Sequence, residues 1–178
     1  MLIKNTENRF GLVAILLHWL IATLMIGMII LGLYMTGLPV GIEKLKFYGW
    51  HKEYGFVVLA LAFIRLYWRL INKTPDLKIP AWEALSAQLM HWTLYGFMFA
   101  LPLTGWLLTS AAGFPVSFFG LFTIPTLIAP NEELRHLFDG VHQWLAYTLI
   151  ALLALHTLAA FKHHFIDKDN ILKRMIFP

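Results

Sequence analysis

The sequence predicts an all-α integral membrane protein: a single domain over residues 1–178 in which four transmembrane helices form a bundle with both termini in the cytoplasm. Three observations support this prediction. The chain is 59% hydrophobic and 13% charged, whereas soluble globular chains carry about 25% charged residues. Four apolar stretches each reach the roughly 20 residues that a helix needs to cross a bilayer. The basic residues lie mostly on one side of these stretches, which is typical of membrane proteins.

The predicted spans cover about residues 11–35, 50–71, 85–111 and 141–161. The first span is longer than a signal-peptide core and has no small-residue cleavage site, so we expect it to be retained. Pro102 lies inside the third span, where a packed membrane bundle tolerates a kinked helix. Connector 113–140 is rich in Phe and broken by prolines. It is expected to form a partly apolar cap with a short interfacial helix near 132–138.

Charge counting predicts the orientation. With four spans, the N-terminus, the second connector and the C-terminal tail share one side of the membrane, which holds ten of the 14 Lys and Arg residues. These ten are Lys4, Arg9, Arg65, Arg69, Lys73, Lys78, Lys162, Lys168, Lys173 and Arg174. The other side, the outer side, holds Lys44, Lys46, Lys52 and Arg135. The positive-inside rule therefore places both termini in the cytoplasm.

The absence of cysteine excludes disulfides, iron–sulfur clusters, thiolate zinc sites and covalent haem attachment through C-x-x-C-H. Any metal group must therefore be bound by histidine. The fourth span carries His142 and His156, fourteen residues apart. In a helix this spacing is almost four turns, roughly 21 Å, and both imidazoles leave the same face.

The depths of four histidines form two pairs. His18 and His156 lie towards the cytoplasmic side, and His51 and His142 stand near the outer ends of their helices. Two imidazoles at each depth are what two bis-histidine haem b groups require. Structural polar packing remains an alternative. So does another metal, although zinc would need more ligands at each depth, and so does a proton relay, which would more naturally include buried carboxylates.

Four further side chains are candidates for contacts around these groups. Arg65 and Arg69 lie one turn apart where the propionates of an inner haem would emerge, although arginines at a helix end also snorkel without a ligand. His163 and His91 are candidates for quinone binding or for supporting a haem ligand, and each is equally compatible with a structural role. Several glycines would allow a macrocycle or a neighbouring helix to approach closely: Gly27, Gly32, Gly55, Gly96 and Gly105.

The order and spacing of these residues resemble the prokaryotic cytochrome b561 family of di-haem membrane proteins, over nearly the whole chain. The resemblance rests on the following segments: His18-Trp19, Trp50-His51, Arg65-Leu66-Tyr67-Trp68-Arg69, Ala100-Leu101-Pro102-Leu103-Thr104-Gly105-Trp106, His142, His156, His163-His164-Phe165 and Asp169-Asn170-Ile171-Leu172-Lys173-Arg174-Met175.

The resemblance implies a four-helix bundle in the bacterial inner membrane that binds two haem b groups without covalent attachment. His51 and His142 would ligate the outer haem, and His18 and His156 the inner one. It also implies superoxide oxidation at the outer face coupled to ubiquinone reduction near His163, a superoxide:ubiquinone oxidoreductase. The alternative is a cytochrome subunit that relays electrons for a partner dehydrogenase or hydrogenase. Electrostatic attraction of the superoxide anion needs a positively charged surface at the outer end of the bundle. The basic residues available there are Lys44, Lys46, Lys52 and Arg135.

Overall fold

A computed structural model describes residues 3–75 and 79–176. The chain forms four long helices, each long and apolar enough to cross a membrane. They are α1 (Leu12–Gly37), α2 (Ile42–Ile71), α3 (Ala81–Ala111) and α4 (Glu132–Phe161). The predicted all-α membrane bundle is confirmed. Lys78, which was included in the charge count, lies outside the described residues.

The predicted interfacial helix near 132–138 is wrong as a separate element, because these residues are the first two turns of α4. Asn131 caps the helix: its side-chain oxygen accepts from the backbone N–H of Leu134 at 2.9 Å. Glu132 and Glu133 follow in the first turn, where acidic side chains favour the positive end of the helix dipole. Hydropathy indicates where a helix enters lipid, whereas the capping residue determines where the helix begins.

A small antiparallel hairpin occupies the connector between α3 and α4, where the sequence predicted a cap but no strands. Strand β1 (Val116–Phe118) pairs with β2 (Phe122–Ile124), with Phe118 opposite Phe122. Phe119 and Gly120 at the tip both have positive φ, the backbone conformation that tight hairpin turns need.

Hydrogen bonds attach this connector to the outer ends of two helices. Glu53 of α2 accepts from the backbone N–H of Phe119 at 3.0 Å. On α3, the Trp106 indole N–H donates to the carbonyl of Pro125 at 2.9 Å. Ser110 of α3 accepts from a further backbone N–H of the connector. The connector therefore closes the outer end of the bundle.

A buried cluster fills the middle of the bundle and draws on all four helices. Its members are Ile21, Met25, Val58, Ala62, Tyr95, Met98 and Leu149. Large apolar side chains elsewhere on the helices point outwards: Ile30, Phe63 and Leu158 are each at least 60% exposed. Such surfaces suit a helix bundle whose surroundings are acyl chains.

At the other end of the bundle, the N-terminal segment contacts the α2–α3 connector, and the C-terminal tail contacts α1. The side-chain amide of Asn5 donates to the carbonyl of Lys73 at 2.9 Å. The Trp19 indole N–H donates to the carbonyl of Met175 at 2.6 Å. Both termini and the α2–α3 connector, where charge counting places most cations, therefore lie at this end of the bundle.

Candidate functional site

The structure brings His51 of α2 and His142 of α4 together near the outer end. Their ring centroids are 6.2 Å apart, and the ring planes are nearly perpendicular at 79°. A metal bound between two imidazoles, with metal–nitrogen bonds of about 2 Å, separates the ring centres by roughly 6 Å. The spacing of the outer pair fits one metal atom between the rings.

Two glycines make room for these rings. A Cβ atom at Gly32 of α1 would lie 3.3 Å from Cε1 of His51, and one at Gly105 of α3 would lie 3.3 Å from Cε1 of His142. Both distances are shorter than an ordinary carbon–carbon contact. By contrast, Gly27 on α1 has open space at the same position. The sequence identified these glycines as possible points of close approach but not which of them face an imidazole.

A threonine determines which nitrogen of His142 carries the proton. The Thr104 hydroxyl donates to the carbonyl of Ala100 at 2.8 Å, and a hydroxyl has a single proton to donate. Its oxygen therefore accepts from Nδ1–H of His142, 3.1 Å away. This contact leaves Nε2 with a free lone pair, which is the state that a metal ligand requires. Sequence reasoning missed this role of Thr104.

His51 differs from His142 in having a buried nitrogen that is not satisfied. Its Nδ1 has no hydrogen-bond partner among residues 3–75 and 79–176. Buried polar atoms in proteins are nearly always paired, so an exception points to a partner of another kind. A metal group held between His51 and His142 would be a partner of that kind.

A cavity of about 360 Å³ surrounds the outer pair. All four helices and Val116 of the hairpin line it, and most of the lining is apolar. Polar side chains belong to its outer end: Tyr48, Lys52, Asp139 and Gln143. A flat apolar group with a polar edge matches this distribution.

Three imidazoles meet near the cytoplasmic end. The rings of His18 and His156 have centroids 6.3 Å apart with planes at 58°, again the spacing of two ligands of one metal. His91 of α3 lies edge-on to His156, with centroids 5.6 Å apart. His91, a quinone or supporting candidate in the sequence, therefore stands beside the inner pair.

Arg65 reaches into this inner cluster. Its Nη2 is 3.0 Å from Nδ1 of His18, and its Nε donates to the Tyr95 hydroxyl at 3.2 Å. Because guanidinium has only donors, Nδ1 of His18 accepts in this contact. Arg69 lies over the rings of Trp92 and Tyr95, 5.0 and 5.3 Å from their centroids. Within the described part of the chain, neither arginine pairs with a carboxylate.

His163 lies in a π-helical turn, Lys162–Ile166, that follows α4. Its Nδ1 is 2.7 Å from a carboxylate oxygen of Asp169, and its Nε2 is 3.9 Å from Glu83. Lys162 bridges Glu83 and Asp167 at 2.9 Å each. An ammonium group thus already occupies the position that a cation would take among these carboxylates.

Two other histidines lie away from the imidazole pairs. His136 is on the exposed start of α4 and pairs with Glu132 at 3.1 Å. His164 has a buried Nδ1 without a hydrogen-bond partner in residues 3–75 and 79–176.

Comparisons with known proteins show which family the chain belongs to. The family model described as prokaryotic cytochrome b561 matches residues 9–178. The chain belongs to the prokaryotic cytochrome b561 family. It is 36% identical to cytochrome b561 homolog 2 of Escherichia coli, with 97% of this chain and 93% of the relative covered. It is 35% identical to cytochrome b561 homolog 1 of the same organism, with 95% and 97% covered.

A more distant relative is the probable superoxide oxidase CybB of Yersinia pestis, 27% identical with 96% of this chain and 97% of the relative covered. Membership of the cytochrome b561 family makes this chain a haem b protein of membrane electron transfer. With four membrane-spanning helices, it is a multi-pass protein of the bacterial inner membrane.

Proposed function

We propose that this cytochrome b561 binds two haem b groups and transfers electrons from superoxide at the outer face to ubiquinone near the cytoplasmic face. The observation that carries the proposal is the presence of two imidazole pairs, with centroid distances of 6.2 and 6.3 Å. His51 and His142 would hold the outer haem, and His18 and His156 the inner one. Haem iron with two axial imidazoles supplies reversible one-electron transfer.

The outer pair supports the proposal through its surroundings. Gly32 and Gly105 leave space at the imidazole edges, and Thr104 fixes the proton of His142 on Nδ1. Hydrogen bonds of this kind orient an imidazole and increase its basicity as a ligand.

At the inner pair, the residues fit a group that carries carboxylates. The guanidinium of Arg65 is part-buried and has no anionic partner in the described part of the chain. A buried charge is costly without a counter-charge. Haem propionates would provide that partner for Arg65 and Arg69, and Arg65 would then release Nδ1 of His18. Bidentate contact with carboxylates is the geometry that arginine favours.

Reduction of ubiquinone near the cytoplasmic face would require protons as well as electrons. Two superoxide anions, one ubiquinone and two protons give two molecules of oxygen and one ubiquinol, so protons must arrive from the cytoplasm. His163 and the carboxylates of Asp167 and Asp169 form a hydrogen-bonded group at that end. Nδ1 of His163 is paired with Asp169, and its Nε2 would be the ring nitrogen left to contact a bound quinone. His91 supports His156 by edge-on ring contact.

The outer hairpin favours a second candidate function, an electron relay for a partner dehydrogenase or hydrogenase. Leu121 and Phe122 of the hairpin are 78% and 57% exposed. An apolar tip outside the helices suits contact with another protein. In that role, the outer pair would receive electrons from the partner instead of from superoxide.

Optical spectroscopy of the detergent-purified protein tests the haem assignment. We expect two haem b groups per chain, and we expect His142→Ala and His156→Ala each to remove a different one. His136→Ala, at an exposed histidine paired with Glu132, is the control and should retain both. Loss of both haems from either single change in a folded protein would contradict two independent sites.

Rapid mixing with superoxide separates the two functions. If the protein oxidises superoxide, superoxide should reduce the haems rapidly and ubiquinone should reoxidise them, as followed by haem absorbance. If the haems stay oxidised after mixing with superoxide but are reduced by a co-purified dehydrogenase or hydrogenase, the relay function is correct.

A further inference from the structure

We propose that Lys52 binds a propionate carboxylate of the outer haem and thereby sets its reduction potential. The inference rests on the proposed function only in requiring a haem between His51 and His142. Lys52 is the next residue in α2 after His51, and its side chain lines the same cavity.

The cavity has one polar end, and this end determines which way a haem can lie. The lining residues deeper in the bundle are apolar, among them Val58, Met98 and Leu149, which belong to the buried cluster. The charged side chains of the lining, Lys52 and Asp139, lie near the outer ends of α2 and α4. A carboxylate is costly among apolar side chains without a counter-charge. The propionate edge of a haem therefore faces the outer end.

The other three outer cations have different partners. Lys44 donates to the carbonyls of Thr36 and Leu38 at 3.2 and 2.8 Å, at the C-terminal end of α1. The Lys46 ammonium lies over the Trp50 ring, 4.8 Å from its centroid. Arg135 forms a bidentate ion pair with Glu132. None of these three lines the cavity.

Lys52, in contrast, is partly buried and has no ion-pair partner in residues 3–75 and 79–176. Its ammonium lies 5.9 Å from the centroid of the Phe114 ring, at the outer limit of a cation–π contact. Asp139 and Tyr48 line the same cavity, and the acidic Asp139 would repel a propionate. The single cation of the lining must therefore balance both the propionate and Asp139.

A positive charge beside the propionates favours the reduced haem, because reduction adds one negative charge to the group. Replacing Lys52 by a neutral side chain should therefore lower the potential of the outer haem. We expect on the order of a tenfold shift of the reduction equilibrium towards the oxidised form, which is 59 mV for one electron.

Potentiometric titration of purified Lys52→Met, followed by haem absorbance, tests the proposal. The outer haem is identified as the titrating haem that His142→Ala removes. We expect its reduction potential to be lower in Lys52→Met, to return to the wild-type value in Lys52→Arg, and to stay unchanged in the control Lys46→Met. An outer component at its normal potential in Lys52→Met overturns the proposal. An equal shift in Lys46→Met does the same, because it would report only a general surface-charge effect.

Two further results separate this proposal from its alternatives. If Lys52 serves incoming superoxide instead, Lys52→Met slows reduction by superoxide while the potential stays constant, and the propionate contact is refuted. Reconstitution with haem dimethyl ester gives an independent measurement: the Lys52→Met shift should disappear, because the carboxylates are blocked. If His142→Ala removed no haem from the protein, the proposed function itself would be contradicted, whatever the Lys52 variant shows.

Discussion

Gly105 gives the sharpest test of how the outer site is built. In Gly105→Ala, the new Cβ atom would lie 3.3 Å from Cε1 and 3.6 Å from Nδ1 of His142. Ordinary carbon–carbon contacts are about 3.5–4.0 Å, so the ring must move by a few tenths of an ångström. The move would disturb both the Thr104 hydrogen bond and the alignment of the ring with His51.

Overpacking of this kind costs about 1–3 kcal/mol. If the whole cost falls on the site, haem affinity at the outer pair decreases roughly 5- to 150-fold, at 1.4 kcal/mol for each factor of ten. The helix itself responds in the opposite direction, because alanine favours helix over glycine by up to about 1 kcal/mol. Gly105→Ala should therefore weaken the haem site without destabilising the fold.

Gly96 on the same helix provides a matched control. A Cβ atom there has nothing within 4 Å, so Gly96→Ala makes the same chemical change without touching an imidazole. We would measure haem transfer from each purified variant to excess apomyoglobin, together with thermal unfolding. The expected result is faster loss of the outer haem in Gly105→Ala only. Equal rates of haem transfer from Gly105→Ala and Gly96→Ala would refute the conclusion that the absence of a side chain at Gly105 leaves the space that His142 needs.

Three further changes give separable results. Thr104→Val removes the hydroxyl that orients His142, and we expect 10- to 100-fold weaker outer haem binding, as for other supporting ligands of metal sites, measured by the same transfer assay. Arg65→Met removes a cation from the inner cluster, so potentiometric titration should show a lower inner potential and an unchanged outer one; an outer shift instead would contradict the assignment. Trp19→Phe removes the hydrogen bond to the Met175 carbonyl, and limited proteolysis should then cut the C-terminal tail faster while the haem spectrum stays the same.

The sequence was sufficient to predict the four helices and the positions of the histidines along them. A bilayer-crossing helix has a fixed rise, so the positions of His142 and His156 along α4 follow from counting residues. The helical repeat also predicts that both leave the same face. Their proximity to His51 and His18 in the structure also requires that all four histidines face the interior of the bundle.

Other features depend on the rotation of one helix against another, which a single sequence does not reveal. The contact between Arg65 and His18 joins α2 to α1, whereas the sequence suggested only that Arg65 would face propionates. For the same reason, Gly32 and Gly105 were not distinguishable from Gly27 and Gly96. The hairpin was missed because its strands have three residues each, too few for an alternating pattern to be recognised.

The placement of one ligand candidate from each pair on a single helix has a mechanical consequence. Tilting or sliding α4 in response to membrane thickness carries His142 and His156 along as one rigid body. The spacing between the two proposed haems would then be as constant as the hydrogen-bonded backbone between His142 and His156. Loop movements, lipid composition and contacts with other proteins would change how each centre is approached, while the gap that an electron must cross stays the same.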